Sequence, residues 1–177
     1  MRLLSIVLVA IAPTLALAAG SGSSSTPKPT ETTSECIGGK IYDSKTQSCV
    51  DASQSSLDDD KRYLAVRELA YAGAFDRASI VLDSFEDPSD DRALTYRGFI
   101  ARKTGDIETA MIFYRAAIEK NPDNLLARSY MGQGLAEAGQ LKAASAELSE
   151  IRSRGGRNTW AEFALSAAIR SGKGYAY

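Results

Sequence analysis

The chain has 177 residues, 44% hydrophobic and 24% charged, with 21 basic against 22 acidic side chains. This fits one ordinary globular domain and lacks the clustered positive surplus that nucleic acid or an anionic membrane demands. Histidine is absent, which removes Ser-His-Asp and Cys-His catalysis and the commonest zinc ligand, so the chain reads as a non-enzyme with no cofactor and no metal.

Residues 1–19 have the layout of a secretory signal peptide: a positive start at Met1-Arg2, an apolar run from Leu3 to Ile11, and small residues at Ala16-Leu17-Ala18. As a membrane span the stretch from Leu3 to Ala19 is short, 17 residues broken by Pro13, where about 20 are usual. No cysteine follows the junction to carry a lipid, Cys36 being too far downstream. Cleavage leaves 20 basic against 22 acidic residues and no stable membrane insertion. The expected location is the periplasm, with full secretion as the alternative.

Residues 20–35 offer no aliphatic or aromatic side chain to bury. Such a stretch cannot offset the entropy of ordering, so it is expected to be a flexible tether or a plain spacer. In residues 36–56, Ile37, Ile41, Tyr42 and Val50 flank an Asp43-Ser44-Lys45-Thr46 turn between Cys36 and Cys49. That pattern predicts a small hairpin closed at its base by a disulfide, the expected state of two cysteines in an exported chain. Closing a loop of this size is worth about 3 kcal/mol in the loop-entropy treatment. The spacing is wrong for a redox pair, and two cysteines without histidine make a poor zinc site.

From Leu57 onward the apolar periodicity is helical. Gly73, Gly105 and Gly139 recur 32 and 34 residues apart, each between two amphipathic stretches. A glycine there suits the left-handed residue that ends a helix. Five residues on, Ala78, Ala110 and Ala144 recur, small enough for close helix approach. Asp58-Asp59-Asp60 precedes an apolar run, where acids complement the helix dipole, and no glycine-punctuated calcium loop follows. Asp87, Asp90 and Asp91 around Pro88 and Ser89 read as a turn with a helix cap. From Asn158 a last helix carries Trp160, Phe163, Ala164, Ala167 and Ala168 on one stripe and stops at Gly172.

Asp91 to Asn124 resembles the 34-residue tetratricopeptide repeat, with Gly98, Ala110, Tyr114, Ala117 and Pro122 at its eighth, twentieth, twenty-fourth, twenty-seventh and thirty-second positions. The next repeat keeps Gly132, Ala144 and Leu148; the preceding one is degenerate, with Val66 in place of the glycine. The resemblance implies an all-α, right-handed superhelix of helical hairpins over residues 57–177, with repeats at about 59–90, 91–124 and 125–157 and a capping helix at 158–171. The whole chain is also similar to exported alphaproteobacterial repeat proteins, through Cys36, Tyr42-Asp43, Lys45-Thr46, Cys49-Val50 and the Arg67 to Gly73 stretch.

In such arrays the first helix of each repeat lines a concave groove that binds protein segments. Carried over by position, the groove takes Tyr63, Arg67 and Tyr71 from the first repeat. The second supplies Arg92, Thr95, Phe99, Arg102 and Lys103, and the third Ser129, Gln133 and Glu137. The family's carboxylate clamp requires lysine and asparagine where Tyr63 and Arg67 stand, so that ligand is not expected. The implied partner is another protein or peptide bringing apolar and acidic side chains, with Phe99 as apolar anchor and the cations orienting it. The alternatives are a solvated charged face, and an assembly or regulatory subunit of an envelope enzyme or secretion complex.

Overall fold

The structure, a computed structural model, describes residues 27–175. The expected signal peptide and the first part of the expected tether lie outside the described residues. The elements in order are α1 (Glu31–Ser34), β1 (Lys40–Asp43), β2 (Ser48–Asp51), α2 (Asp59–Tyr71), α3 (Phe75–Leu82), α4 (Asp91–Lys103), α5 (Ile107–Lys120), α6 (Leu125–Glu137), α7 (Leu141–Ser153) and α8 (Trp160–Ser171).

The longer helices begin and end where short-range chemistry dictates. Asp58, Asp90, Asp106, Asn124 and Thr159 each accept a backbone N–H of the following first turn, which satisfies donors that have no partner within the helix. Gly73, Gly105 and Gly139 stand just past the ends of α2, α4 and α6 with φ of 74°, 95° and 73°. A side chain is strained in that conformation, so these positions demand glycine.

The helices pair as hairpins, α2 with α3, α4 with α5 and α6 with α7. Contacts between α2 and α4, α4 and α6, and α6 and α8 line these four up as one layer, while α3, α5 and α7 each pack between two of its members. Close approach needs small residues, as expected at Gly98, where an added Cβ would lie 2.6 Å from the Tyr114 ring and 3.1 Å from the Ala110 carbonyl. At Gly132 the closest approach is made by α8. The absent side chain makes room for Leu165 of α8, at 2.7 Å from where a Cβ would stand. The stripe of α8 is displaced: Ala161, Ala164, Leu165 and Ala168 are buried, whereas Phe163 is 53% exposed.

The N-terminal module corrects two expectations. Within the segment expected to be a loose tether, Thr30 caps the helical turn α1 and Thr32 is buried. Both oxygens of the buried Glu68 carboxylate are used here, accepting from the Thr30 N–H and hydroxyl at 2.8 Å each and from the Thr33 N–H at 3.1 Å. Arg77 donates to the carbonyls of Thr32, Thr33 and Gly38. Thr30–Ser34 lacks apolar residues, but these distant charged partners order it. The disulfide joins Cys36 and Cys49 as expected, with Cα atoms 5.6 Å apart. It is not at the hairpin base, however. Cys49 pairs with Tyr42 near the turn and Cys36 lies before β1, so the bridge ties the end of α1 to β2.

Arg62, 2% exposed, completes this attachment. Its guanidinium donates to the Ala52 carbonyl at 2.9 Å, to Asp59 at 2.8 Å and to Glu86 at 3.2 Å. Asp58, Asp59 and Asp60 are engaged separately, as helix cap, as partner of Arg62 and as partner of Arg92.

Candidate partner-binding face

All eleven residues expected in the groove fall on α2, α4 and α6, three of the four helices of one layer. The fold brings them together, but it assigns them different work. Thr95, Phe99, Arg102, Ser129 and Gln133 are buried. Thr95 accepts from Asn124 at 2.9 Å and so ties the loop before α6 to α4. Ser129 donates to the Ala161 carbonyl at 2.9 Å, fixing α8 on α6.

Phe99 cannot serve as the exposed anchor, because only 1% of its surface is accessible. Its ring stacks on Tyr71 at 5.9 Å and 8°, lies 4.9 Å from Tyr130, and carries the Lys103 ammonium 5.7 Å from its centroid. The hydroxyls of Tyr71 and Tyr130 are 2.8 Å apart. A large buried side chain of this kind is worth about 1.5–3 kcal/mol in transfer energy, so Phe99 stabilises the layer from within. Tyr63, under the Arg92 guanidinium at 5.0 Å, and Tyr71, with Arg67 at 5.8 Å, form the half-buried rim.

Arg102 is committed as well. One nitrogen donates to both oxygens of Glu137 at 3.0 Å. Burial works against its charge, but Tyr114 and Glu137 outweigh that and raise its pKa, so it remains a cation. Burial, followed by the Arg102 charge, depresses the ammonium of Lys103 below its ordinary value.

Across this surface runs the end of the described chain. The Gly174 N–H donates to Glu137 Oε1 at 2.9 Å and the Tyr175 N–H to Gln133 Oε1 at 3.1 Å. Lys103 Nζ donates to the Tyr175 carbonyl at 3.3 Å. The Tyr175 ring stands edge-on to Trp160 at 4.7 Å and lies 5.9 Å from Phe163. Three of the expected residues, Lys103, Gln133 and Glu137, therefore hold a piece of backbone that belongs to no helix or strand. Trp160, Phe163 and Tyr175 were absent from the expected site. Periodicity puts Trp160 and Phe163 on the core stripe of the last helix, and the Gly-Lys-Gly-Tyr stretch has no periodicity to place it.

No family model matches the chain, and neither a curated protein nor a solved structure matches it.

Proposed function

We propose that the chain is a protein-binding helical repeat of the tetratricopeptide type, exported to the bacterial cell envelope. The layer of α2, α4, α6 and α8 receives a partner segment, and the protein works by binding, not by catalysis. The observation that carries this reading is the chain's own Gly174–Tyr175, held through its backbone by Lys103, Gln133 and Glu137. A surface that binds one segment through main-chain groups has the chemistry to bind another. The glycine-ended hairpins at 32- and 34-residue spacing support the repeat assignment. The oxidised cysteine pair supports an oxidising compartment.

A photo-crosslinking amino acid placed at Arg67 or Tyr71 in cells that export the protein tests this. The same partner is expected to be trapped from both positions and not from Ile112 on α5 or Lys142 on α7. Adducts confined to the α5 and α7 positions would contradict the assignment of the binding face.

A further inference from the structure

Gly172–Tyr175 fills no seam between repeats, yet it is held by side chains from three helices: Lys103 of α4, Gln133 and Glu137 of α6, and Trp160 and Phe163 of α8. We propose that this is a recognition site for a glycine–aromatic segment of a partner protein, and that the chain's own Gly174–Tyr175 fill it until the partner displaces them. The proposal rests on the layer being the binding face, and adds what the partner brings and what it must compete with.

The lining sets the ligand's chemistry. At the position of Gly174, a Cβ would stand 2.0 Å from Glu137 Oε1 and 2.7 Å from an Arg102 nitrogen. A side chain there must first move the Glu137 carboxylate, which is paired with the buried Arg102 guanidinium and accepts the Gly174 N–H through the same Oε1. Glycine is therefore favoured at this position. An acidic side chain at that position would also meet the Glu137 carboxylate. One residue on, Trp160 and Phe163 offer ring faces and edges to an aromatic side chain, an arrangement that favours edge-to-face packing. Gln133 and Lys103 read main-chain groups, which every segment has.

The hold is suited to exchange. Gly172 has φ of 67° and ends α8, and the Ser171 hydroxyl bridges to Lys173, so the segment turns back over the layer from a short hinge. Backbone hydrogen bonds of this kind are each worth about 0.5–1.5 kcal/mol net. A short tether gives an effective concentration of about 1 mM. For a peptide binding in trans with a Kd of about 100 µM, the tethered copy leaves the site open about one-tenth of the time, weakening apparent affinity about tenfold.

The probe is a synthetic peptide with the sequence of residues 171–177, Ser-Gly-Lys-Gly-Tyr-Ala-Tyr, labelled for fluorescence anisotropy. It is titrated into the full chain, into full-length Gly174→Val and into full-length Tyr175→Ala, each first shown to be helical by circular dichroism. Both variants are expected to bind it about tenfold more tightly than the wild type, and a peptide with alanine in place of its first tyrosine should lose that binding. Trp160 is the only tryptophan in the sequence, so its emission should shift to the red in both variants and return when peptide is added. Equal affinity for wild type and variants, binding to none, or a wild type that covers Trp160 only as a dimer would each overturn the proposal. Crosslinks from Arg67 and Tyr71 alongside such a result would leave the binding face standing and remove the self-occlusion alone.

Discussion

At one end of the helical layer, residues 30–51 are fastened to α2 and α3; at the other, residues 172–175 rest on α4, α6 and α8. The N-terminal fastening uses Arg62, Glu68 and Arg77, with Arg62 and Glu68 buried; Glu68 and Arg77 engage backbone groups of Thr30 to Gly38, and Arg62 the Ala52 carbonyl just after β2. It is also stapled internally by Cys36–Cys49. Among the described residues, the C-terminal contact includes hydrogen bonds between Lys103, Gln133 and Glu137 and main-chain groups, and the packing of the Tyr175 ring on Trp160. Removing a partner from a buried charge leaves that charge unpaired, whereas lifting the Gly174–Tyr175 backbone off Lys103, Gln133 and Glu137 opens each group to water. The first end is therefore built as a permanent closure and the second as an exchangeable one.

The contrast can be broken at several points. Arg62→Ala should cost about 3–5 kcal/mol in urea unfolding, because Asp59 and the Ala52 carbonyl lose a buried partner. A cost near zero would mean the N-terminal module is not anchored there. Cys36→Ser should cost about 3 kcal/mol in the loop-entropy treatment, read as loosening of residues 30–51 in limited proteolysis while the repeats stay helical. Gly132→Leu should cost about 1–3 kcal/mol by driving a side chain into Leu165, and an unchanged melting temperature would refute the α6–α8 packing. Tyr175→Ala, by contrast, should change global stability by about 1 kcal/mol or less, while changing Trp160 emission.

Acid sharpens the same contrast. Burial tends to raise the Asp59 carboxyl, but the backbone N–H groups of Glu86 and Asp87 and the Arg62 guanidinium together hold it below its ordinary value of 3.8. A depressed carboxyl favours the folded state when ionised, so its contribution is present above pH 3.8 and lost as pH falls below it. Asp59→Asn should flatten the acid limb of the stability profile. An identical acid limb would show that the pairing does not matter.

The helices were legible because their signals are local: Asp and Asn caps, apolar periodicity, and glycines that must take positive φ. The Cys36–Cys49 pair needed only a count of cysteines. The order of Thr30–Ser34 was not legible, since it comes from Glu68 and Arg77, 35 or more residues away along the chain. Register placed the expected groove residues on α2, α4 and α6, yet it could not show that neighbouring rings bury Phe99 or that Glu137 takes up Arg102. Those outcomes depend on how helices pack across repeats. The role of Gly174–Tyr175 is hidden for the same reason: its partners lie on three different helices, and a four-residue stretch with two glycines carries no pattern.

Residue-resolved hydrogen exchange on the unmodified protein compares the two ends directly. The N–H groups of Gly174 and Tyr175 should exchange through local opening, at rates independent of mild urea. Those of Thr33 and Tyr42, bonded to Glu68 and Thr32, should be released only by larger unfolding that urea promotes. If all four were equally protected and responded alike to urea, the C-terminal segment would be a fixed part of the fold and not an exchangeable occupant.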